Sequence, residues 1–380
     1  MHRCLELAKL GAGHVAPNPM VGAALVHDDR IIGEGWHQQY GEPHAEANAI
    51  SRAVQNGLKE LIPQSTLYVS LEPCSHFGKT PPCTDLIIQN KIPKVIIGCR
   101  DSFKEVDGNG IEKLKGAGVE VVTGILEEEC KELNKRFFTF HTQHRPYVIL
   151  KWAQTADGFI APPPPEREAS PSPSKGGVLE SSKLKDSLGL AEDSEVPLAG
   201  GFREARLLIS NEYTNRLVHQ WRGEEASILV GTNTALQDDP ELTNRLWPGP
   251  SPVRLVVDME LKLSPALKLF NRKVKTIVFN TIKHEEQDNL LYYQVTHDVS
   301  LVHQMVNALY QLKIQSVIVE GGTRLLQSFI DEGVWDEARV IVNDELAIGN
   351  GLSAPVLPIA LKTDGQILLT DKIEIFKPAT

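Results

Sequence analysis

Leu71-Glu72-Pro73-Cys74-Ser75-His76-Phe77-Gly78-Lys79-Thr80-Pro81-Pro82-Cys83 decides how this chain is read, together with Gly41-Glu42-Pro43-His44-Ala45-Glu46 upstream. From these stretches His44, Cys74, Cys83 and Glu46 supply one imidazole, two thiols and one free carboxylate. One nitrogen and two sulfurs suit zinc, and three protein ligands leave a coordination position for water. Bound zinc brings the pKa of that water close to neutrality, so attack by hydroxide is the expected chemistry. Glu46, two residues from His44, is placed to move protons. Pro43 starts a predicted helix through Val54, with His44 in its first turn and Glu46 where the helix dipole favours an anion. Cys74 follows a predicted strand, Ser65 to Leu71. Cys83 lies near the start of a predicted helix, Pro81 to Gln89. His76 is a rival ligand beside Cys74; the neighbouring carboxylate favours His44.

Outward from this stretch, helix and strand patterns alternate. Arg3 to Leu10 reads as a helix, and Val21 to Val26 and Arg30 to Trp36 as strands around an Asp28-Asp29 turn. Lys94 to Gly98 reads as a buried strand, Asn109 to Ala117 as a helix, Val119 to Val122 as a strand and Glu127 to Phe140 as a helix. The alternation predicts an α/β architecture, a sheet covered by helices. Arg145-Pro146 is the expected junction between two domains, 1–145 and 146–380. Pro146 to Trp152 begins a second alternating region, and the segment from about 162 to 201 is rich in proline and serine and poor in aromatics. It cannot bury enough apolar surface to order itself, which predicts a mobile surface insertion in preference to a lid. Regular patterns resume with a helix at Asn211 to Arg222 and strands at Ser227 to Gly231, Val253 to Asp258 and Thr276 to Asn280. A helix at Leu301 to Leu312 and a strand at Ser316 to Glu320 follow. Gly321-Gly322-Thr323 then turns into a helix at Arg324 to Glu332, leaving backbone N–H groups suited to a phosphate. Asp336 to Asn343 and Gln366 to Phe376 supply the last strands.

The 380-residue chain is 41% hydrophobic and 23% charged, with a formal charge of −10. The composition is ordinary for a globular protein, and the length allows more than one core. No apolar run approaches the roughly 20 residues of a bilayer span. The N-terminal Met1-His2-Arg3-Cys4-Leu5-Glu6 does not read as a signal peptide. A cytoplasmic protein without a membrane partner is expected. The acidic balance argues against a nucleic-acid partner. The five scattered cysteines predict no disulfides in a reducing compartment; Cys4, Cys99 and Cys130 read as core side chains.

His-x-Glu followed by Pro-Cys and a second cysteine is the signature order of zinc nucleobase deaminases, with eight residues here between the cysteines. With Pro17-Asn18-Pro19-Met20-Val21-Gly22 and Gly35-Trp36-His37 added, the chain resembles the bifunctional deaminase/reductase family of riboflavin biosynthesis. The Ser-His-x-Gly-Lys-Thr-Pro-Pro filling between the cysteines is specific to that family. The resemblance implies a cytidine-deaminase-like α/β/α domain followed by a dihydrofolate-reductase-like α/β domain. It implies zinc on His44, Cys74 and Cys83, with Glu46 as proton shuttle and Asn18, His37 and Lys79 around the pyrimidine and its phosphate. In the second half Thr232-Asn233-Thr234, Asp238 to Arg245 and Val319-Glu320-Gly321-Gly322 match the family. There it implies NADPH near Ala153, Leu208, Thr234, Asp238, Gly322 and Thr323. It places Arg206, Arg222, Leu242, Arg245 and Glu320 near the substrate. Lys151 is the candidate proton donor by its position after a strand. The chain departs from the family at Asp101-Ser102-Phe103-Lys104, at Asn109 and at Leu208, which stands where the family has a tryptophan. The implied function is zinc-hydroxide deamination of a phosphoribosylamino-pyrimidine, then reduction of its ribosyl group to ribityl. The expected partner is this small phosphorylated substrate, and the expected assembly is a homo-oligomer. An alternative keeps the deaminase and makes the C-terminal half a binding or assembly module.

Overall fold

The computed structural model describes residues 1–77, 81–101, 108–163 and 208–379. Lys79, Phe103, Arg206 and most of the expected insertion lie outside the described residues. In the N-terminal part the elements run α1 (His2–Lys9), β1 (Gly22–His27), β2 (Arg30–Trp36), α2 (Ala45–Gln55), β3 (Thr66–Leu71), α3 (Cys83–Gln89), β4 (Lys94–Cys99), α4 (Asn109–Gly116), β5 (Glu120–Thr123), α5 (Glu127–Leu133) and α6 (Lys135–Gln143). Among the described residues they form a five-stranded sheet of order β2-β1-β3-β4-β5. Helix α2 shows how sequence positions the site. Ala45, Ala49 and Ala53 recur every fourth residue and are fully buried, facing Gly33 and Gly35 of β2. A Cβ on Gly33 would lie 2.2 Å from the Ala49 carbonyl oxygen, and one on Gly35 2.4 Å from the Ala49 nitrogen. Small residues on both surfaces let the helix lie directly on the sheet and carry its N-terminus over the strand ends.

Three sequence readings are corrected here. Helix α2 begins at Ala45, with His44 as an extended N-cap at φ −74, ψ 168, so His44 precedes the first turn. The helix expected over Glu127 to Phe140 breaks at Asn134, whose side chain is committed to the Met20 backbone. The strand expected over Gln366 to Phe376 is a hairpin that turns at Leu369, which has φ +55.

The C-terminal part runs β6 (Tyr147–Thr155), β7 (Phe159–Ala161), α7 (Glu212–Glu224), β8 (Ser227–Val230), α8 (Thr232–Asp238), β9 (Val253–Val257), β10 (Thr276–Asn280), β11 (Glu285–Gln287), β12 (Leu290–Gln294), α9 (Leu301–Gln311), β13 (Ser316–Val319), α10 (Thr323–Asp331), β14 (Glu337–Asn343), β15 (Leu352–Ser353), β16 (Ala360–Leu368) and β17 (Asp371–Pro378). Among the described residues the large sheet has ten strands in the order β11-β12-β10-β9-β8-β13-β6-β14-β17-β16. From β12 to β14 neighbouring strands are parallel. Their inner residues are mostly apolar on both faces, as parallel strands between two helix layers require, with Arg254 and Arg339 buried among them. The chain leaves β8 toward β9 but leaves β13 in the opposite sense, over β6 to β14. The carboxyl ends of β8 and β13 are therefore a topological switch point, where α/β sheets bind ligands.

The two halves meet through charged pairs with little exposure. Arg145 grips Asp336 with two bonds of 2.6 and 2.7 Å, and Lys135 reaches Glu337 at 2.6 Å. Arg136 binds Glu225 through both Nε and Nη2.

Candidate active sites

His44 Nδ1 lies 3.5 Å from Cys74 Sγ and 3.4 Å from Cys83 Sγ. All three donor atoms fall within 4.8 Å of one another. His44 caps α2 and Cys83 opens α3, so two positive helix ends converge on the thiols. Cys74 is pulled down to about 4 by hydrogen bonding from Cys83, aided by His44 and the Cys83 backbone N–H. Cys83 moves upward as the partner thiol of that thiolate. A donor set with one thiolate already formed fits zinc. Glu46 is 3% exposed, and burial raises its carboxyl above the usual range, as befits a group that must both take and give a proton.

His37 forms the wall beside this cluster, its ring edge-on to His44 with centroids 5.2 Å apart. Its Nδ1 faces the Pro43 carbonyl oxygen at 3.2 Å, and its Nε2 faces Asn18 Nδ2 at 3.1 Å. A carbonyl only accepts, so Nδ1 carries the proton and Nε2 accepts from Asn18. Burial also lowers the His37 pKa, which keeps the ring neutral. Asn48 donates to the same Pro43 carbonyl and to Trp36 O, fixing the turn before His44. Of the sequence candidates, His44, Cys74, Cys83, Glu46, His37 and Asn18 thus come together, while Lys79 lies outside the described residues. The rival His76 has a buried Nδ1 without a partner among the described residues, and it is not among the three converging donors.

Glu72 was missed. Buried at the end of β3, it accepts backbone N–H bonds from Asp101, Gly108, Gly110 and Ile111 at 3.0 to 3.3 Å. It ties the cysteine loop to the ends of β4 and α4. An acidic residue at an apolar strand end, beside a ligand, was the signal.

In the C-terminal half Arg222 of α7 and Glu320 at the end of β13 form a bidentate pair of 3.0 and 2.6 Å. Lys151 Nζ of β6 lies 3.8 Å from Glu320 Oε2. Burial alone would raise Glu320, but Arg222 and Lys151 hold it down at about 2. Burial lowers Lys151. His219, one turn before Arg222, accepts the Arg245 backbone N–H at 2.9 Å and is lowered to about 4, chiefly by burial. Two expectations change in character. Arg222, expected near the substrate, turns its fork to Glu320. Leu242 is 3% exposed and inside the core at φ +53, so only its backbone can face a ligand. The Arg245 side chain is half exposed and pairs with Glu241 at 2.7 Å.

The switch-point crevice tests the expected dinucleotide. Gly322 N-caps α10 without a side-chain cap, leaving first-turn N–H groups for a phosphate. A Cβ on Gly321 would press to 3.1 Å from the Gly231 nitrogen, whereas one on Gly322 would meet only Thr234 Oγ1, at 3.7 Å. The crevice is thus tight at its floor and open at its rim, and it fits a phosphate-bearing cofactor. Thr234 Oγ1 accepts from the Gly322 N–H at 3.1 Å, joining the two turns. Thr323 Oγ1 is spent on Ser353 O at 2.6 Å. Ala153 lies near the end of β6 and Asp238 ends α8. Leu208 is 71% exposed. Arg206 lies outside the described residues.

A family model described as "Cytidine and deoxycytidylate deaminase zinc-binding region" matches residues 1–99, and "RibD C-terminal domain" matches residues 146–350. The chain is 37% identical to riboflavin biosynthesis protein RibD of Aquifex aeolicus (strain VF5), over 98% of this chain and 94% of that protein. It is 30% identical to riboflavin biosynthesis protein RibD of Escherichia coli (strain K12), over 94% and 90%. A crystal structure from Thermotoga maritima, of a diaminohydroxyphosphoribosylaminopyrimidine deaminase/5-amino-6-(5-phosphoribosylamino)uracil reductase, is 35% identical with a TM-score of 0.81. That comparison covers 100% of this chain and 97% of that one. The class is therefore an enzyme that joins a zinc-dependent deaminase to an NADPH-dependent reductase in one polypeptide. The chain belongs to the RibD family of riboflavin biosynthesis. Family membership speaks against the alternative in which the C-terminal half is only an assembly module.

Proposed function

We propose that the chain deaminates 2,5-diamino-6-(5-phosphoribosylamino)pyrimidin-4-one in residues 1–145 and reduces the product's ribosyl group to ribityl in residues 146–380. The carrying observation is the convergence of His44 Nδ1 and two Sγ atoms beside the buried Glu46. His44, Cys74 and Cys83 would hold zinc, which when bound supplies the Lewis acidity that makes water reactive near neutral pH. Glu46 takes a proton from the attacking water and gives it to the ring nitrogen, then takes the proton of the resulting hydroxyl and gives it to the amino group, so that ammonia leaves as the carbonyl forms. Asn18 and His37 present a fixed donor and a neutral ring to the pyrimidine; Lys79 is assigned to its phosphate.

In the second site Gly322, Thr323, Thr234, Asp238, Ala153 and Leu208 would hold NADPH, which supplies the hydride. Glu320 orients Arg222 and Lys151 toward the sugar, where Arg206, Arg245 and the Leu242 backbone complete the binding. Lys151 would protonate the ring oxygen released when the C1–O bond of the sugar opens on reduction. A coupled assay of ammonia release and NADPH oxidation tests both steps. A zinc-loaded preparation that releases no ammonia from this substrate overturns the first, and one that oxidises no NADPH with the deaminated product overturns the second.

A cytoplasmic location is supported by the five free thiols, which suit a reducing compartment. Among the described residues no helix is long and apolar enough to cross a membrane. A homo-oligomer is supported by edge strand β16 and its flanks, where Ile359, Ile367 and Leu369 are 88%, 73% and 70% exposed. Such an edge invites pairing. Light scattering on the purified protein decides, and a monomer would reject the assembly.

A further inference from the structure

Gln315 stands immediately before β13 in the C-terminal half and is 6% exposed. Its Nε2 donates to the Pro17 carbonyl oxygen at 2.7 Å, across 298 residues of sequence. Its own carbonyl accepts the Tyr147 N–H at 2.9 Å, so the residue is anchored to β6. The Pro17 carbonyl shares a peptide unit with the Asn18 N–H, which donates to Val15 O at 2.9 Å. Both polar ends of that peptide are therefore fixed, one by its own loop and the other by the reductase half. Two residues on, Asn134 clamps Met20, accepting from its N–H at 2.8 Å and donating to its carbonyl at 2.9 Å. Between these holds, the Asn18 amide is aimed at His37. The loop also lies close on the end of α7, since a Cβ on Gly13 would sit 2.6 Å from the Gly223 carbonyl oxygen.

We infer that Gln315 is a positioning residue for the deaminase, so that the reductase half completes the pyrimidine pocket by fixing the peptide that carries Asn18. The inference rests on the assignment of Asn18 and His37 to that pocket. Without the amide donor the half-buried Pro17 carbonyl loses its partner, the loop relaxes, and substrate must reorder it on binding. The metal donors sit at the N-cap of α2, at the start of α3 and after β3, and the Gln315 side chain is bonded to Pro17 instead, so turnover of bound substrate is spared. The reductase site is spared as well, because Glu320 lies at the far end of β13, about 16 Å along the strand.

Gln315→Met keeps the size and removes the donor. In the full-length, zinc-loaded enzyme the deaminase KM rises about three- to tenfold, the worth of one neutral hydrogen bond. Deaminase kcat, zinc content and the reductase KM stay within twofold of wild type. Gln315→Glu raises KM further at neutral pH, where a carboxylate faces the carbonyl. As pH is lowered its KM ratio to wild type returns toward one, because a protonated carboxyl again donates to Pro17. Arg136, Glu224 and Glu225 line the same cleft and are common to both proteins, so the ratio isolates position 315. An unchanged deaminase KM in folded Gln315→Met overturns the inference, as do equal losses in both activities or a KM ratio for Gln315→Glu that is flat with pH. Asn18→Ala separates the two claims. If it raises the deaminase KM and Gln315→Met does not, the positioning role fails. If Asn18→Ala leaves KM unchanged, the pocket assignment itself is wrong.

Discussion

The deaminase cluster draws its facing side chains from a short span: His44 and Cys83 are 39 residues apart, and each sits at a helix start or just past a strand end. The reductase cluster pairs Arg222 with Glu320 across 98 residues and adds Lys151 from a third element. The first is assembled by local geometry, the second by the order of strands in a parallel sheet. In the first, charge comes from thiols waiting for a metal. In the second, a buried carboxylate already balances two cations. Changes in one cluster should therefore leave the other intact, and the way each fails should differ.

The largest effect is expected at Glu46. Glu46→Gln keeps the three converging donors, so zinc content holds while ammonia release falls about 10² to 10⁴-fold. NADPH oxidation with the deaminated product stays at wild type. Loss of zinc, or of both activities, would show that the clusters are not independent.

Glu320→Gln strikes the other cluster. It leaves Arg222 and Lys151 buried without a counter-charge, and breaking such a pair costs about 3–5 kcal/mol. NADPH oxidation should fall by at least about 10²-fold while ammonia release persists. Retained reduction would remove Glu320 from the site.

The span of each cluster also explains what could be read from sequence. His44, Glu46, Cys74 and Cys83 were legible because their chemistry is carried by spacing within short motifs. Helix α2 was legible from Pro43 at its expected start, although the helix begins two residues later, at Ala45. Arg222 was found as a residue but not as half of an ion pair, because nothing local links it to Glu320. Leu242 was read as a contact although its side chain belongs to the core. Glu72, Asn134, Glu225 and Gln315 were missed for one reason. Each is an ordinary polar residue whose partner is fixed only when distant segments meet.

The interface between the halves should fail next. Glu225 has no exposed side-chain surface, and Arg136 and Arg339 hold its pKa down against burial. Arg136→Ala leaves that buried carboxylate with only the more distant Arg339, at 3.7 Å, and should cost about 3 kcal/mol of stability, read as a lower melting temperature. Its acid dependence follows from Glu337, which Arg339 and Lys135 hold at about 2 against burial, well below the 4.5 of an ordinary glutamate. A carboxylate depressed on folding stabilises fully above its unfolded pKa and loses that contribution as pH falls through the folded one. Melting temperature should therefore decline between about pH 4.5 and about pH 2. A melting temperature flat across that window would mean that these pairs contribute nothing.

The smallest effect separates the two helices that carry the sites. Helix α2 starts without a side-chain cap, because the imidazole at its N-cap turns toward the thiols. Helix α7, which carries His219 and Arg222, starts at Asn211, whose Oδ1 accepts the Tyr213 and Thr214 N–H groups at 3.0 Å. Its Nδ2 donates to Leu368 O at 2.7 Å, tying the helix start to the β16–β17 hairpin. Asn211→Ala removes both functions and should cost about 1 kcal/mol or slightly more. Asn211→Asp keeps the acceptor for the cap and loses only the hairpin link, so it should cost less. The loss should show as faster thermal inactivation of the reductase at unchanged deaminase half-life. Equal losses in the two variants would place the whole effect in the hairpin link and none in the cap.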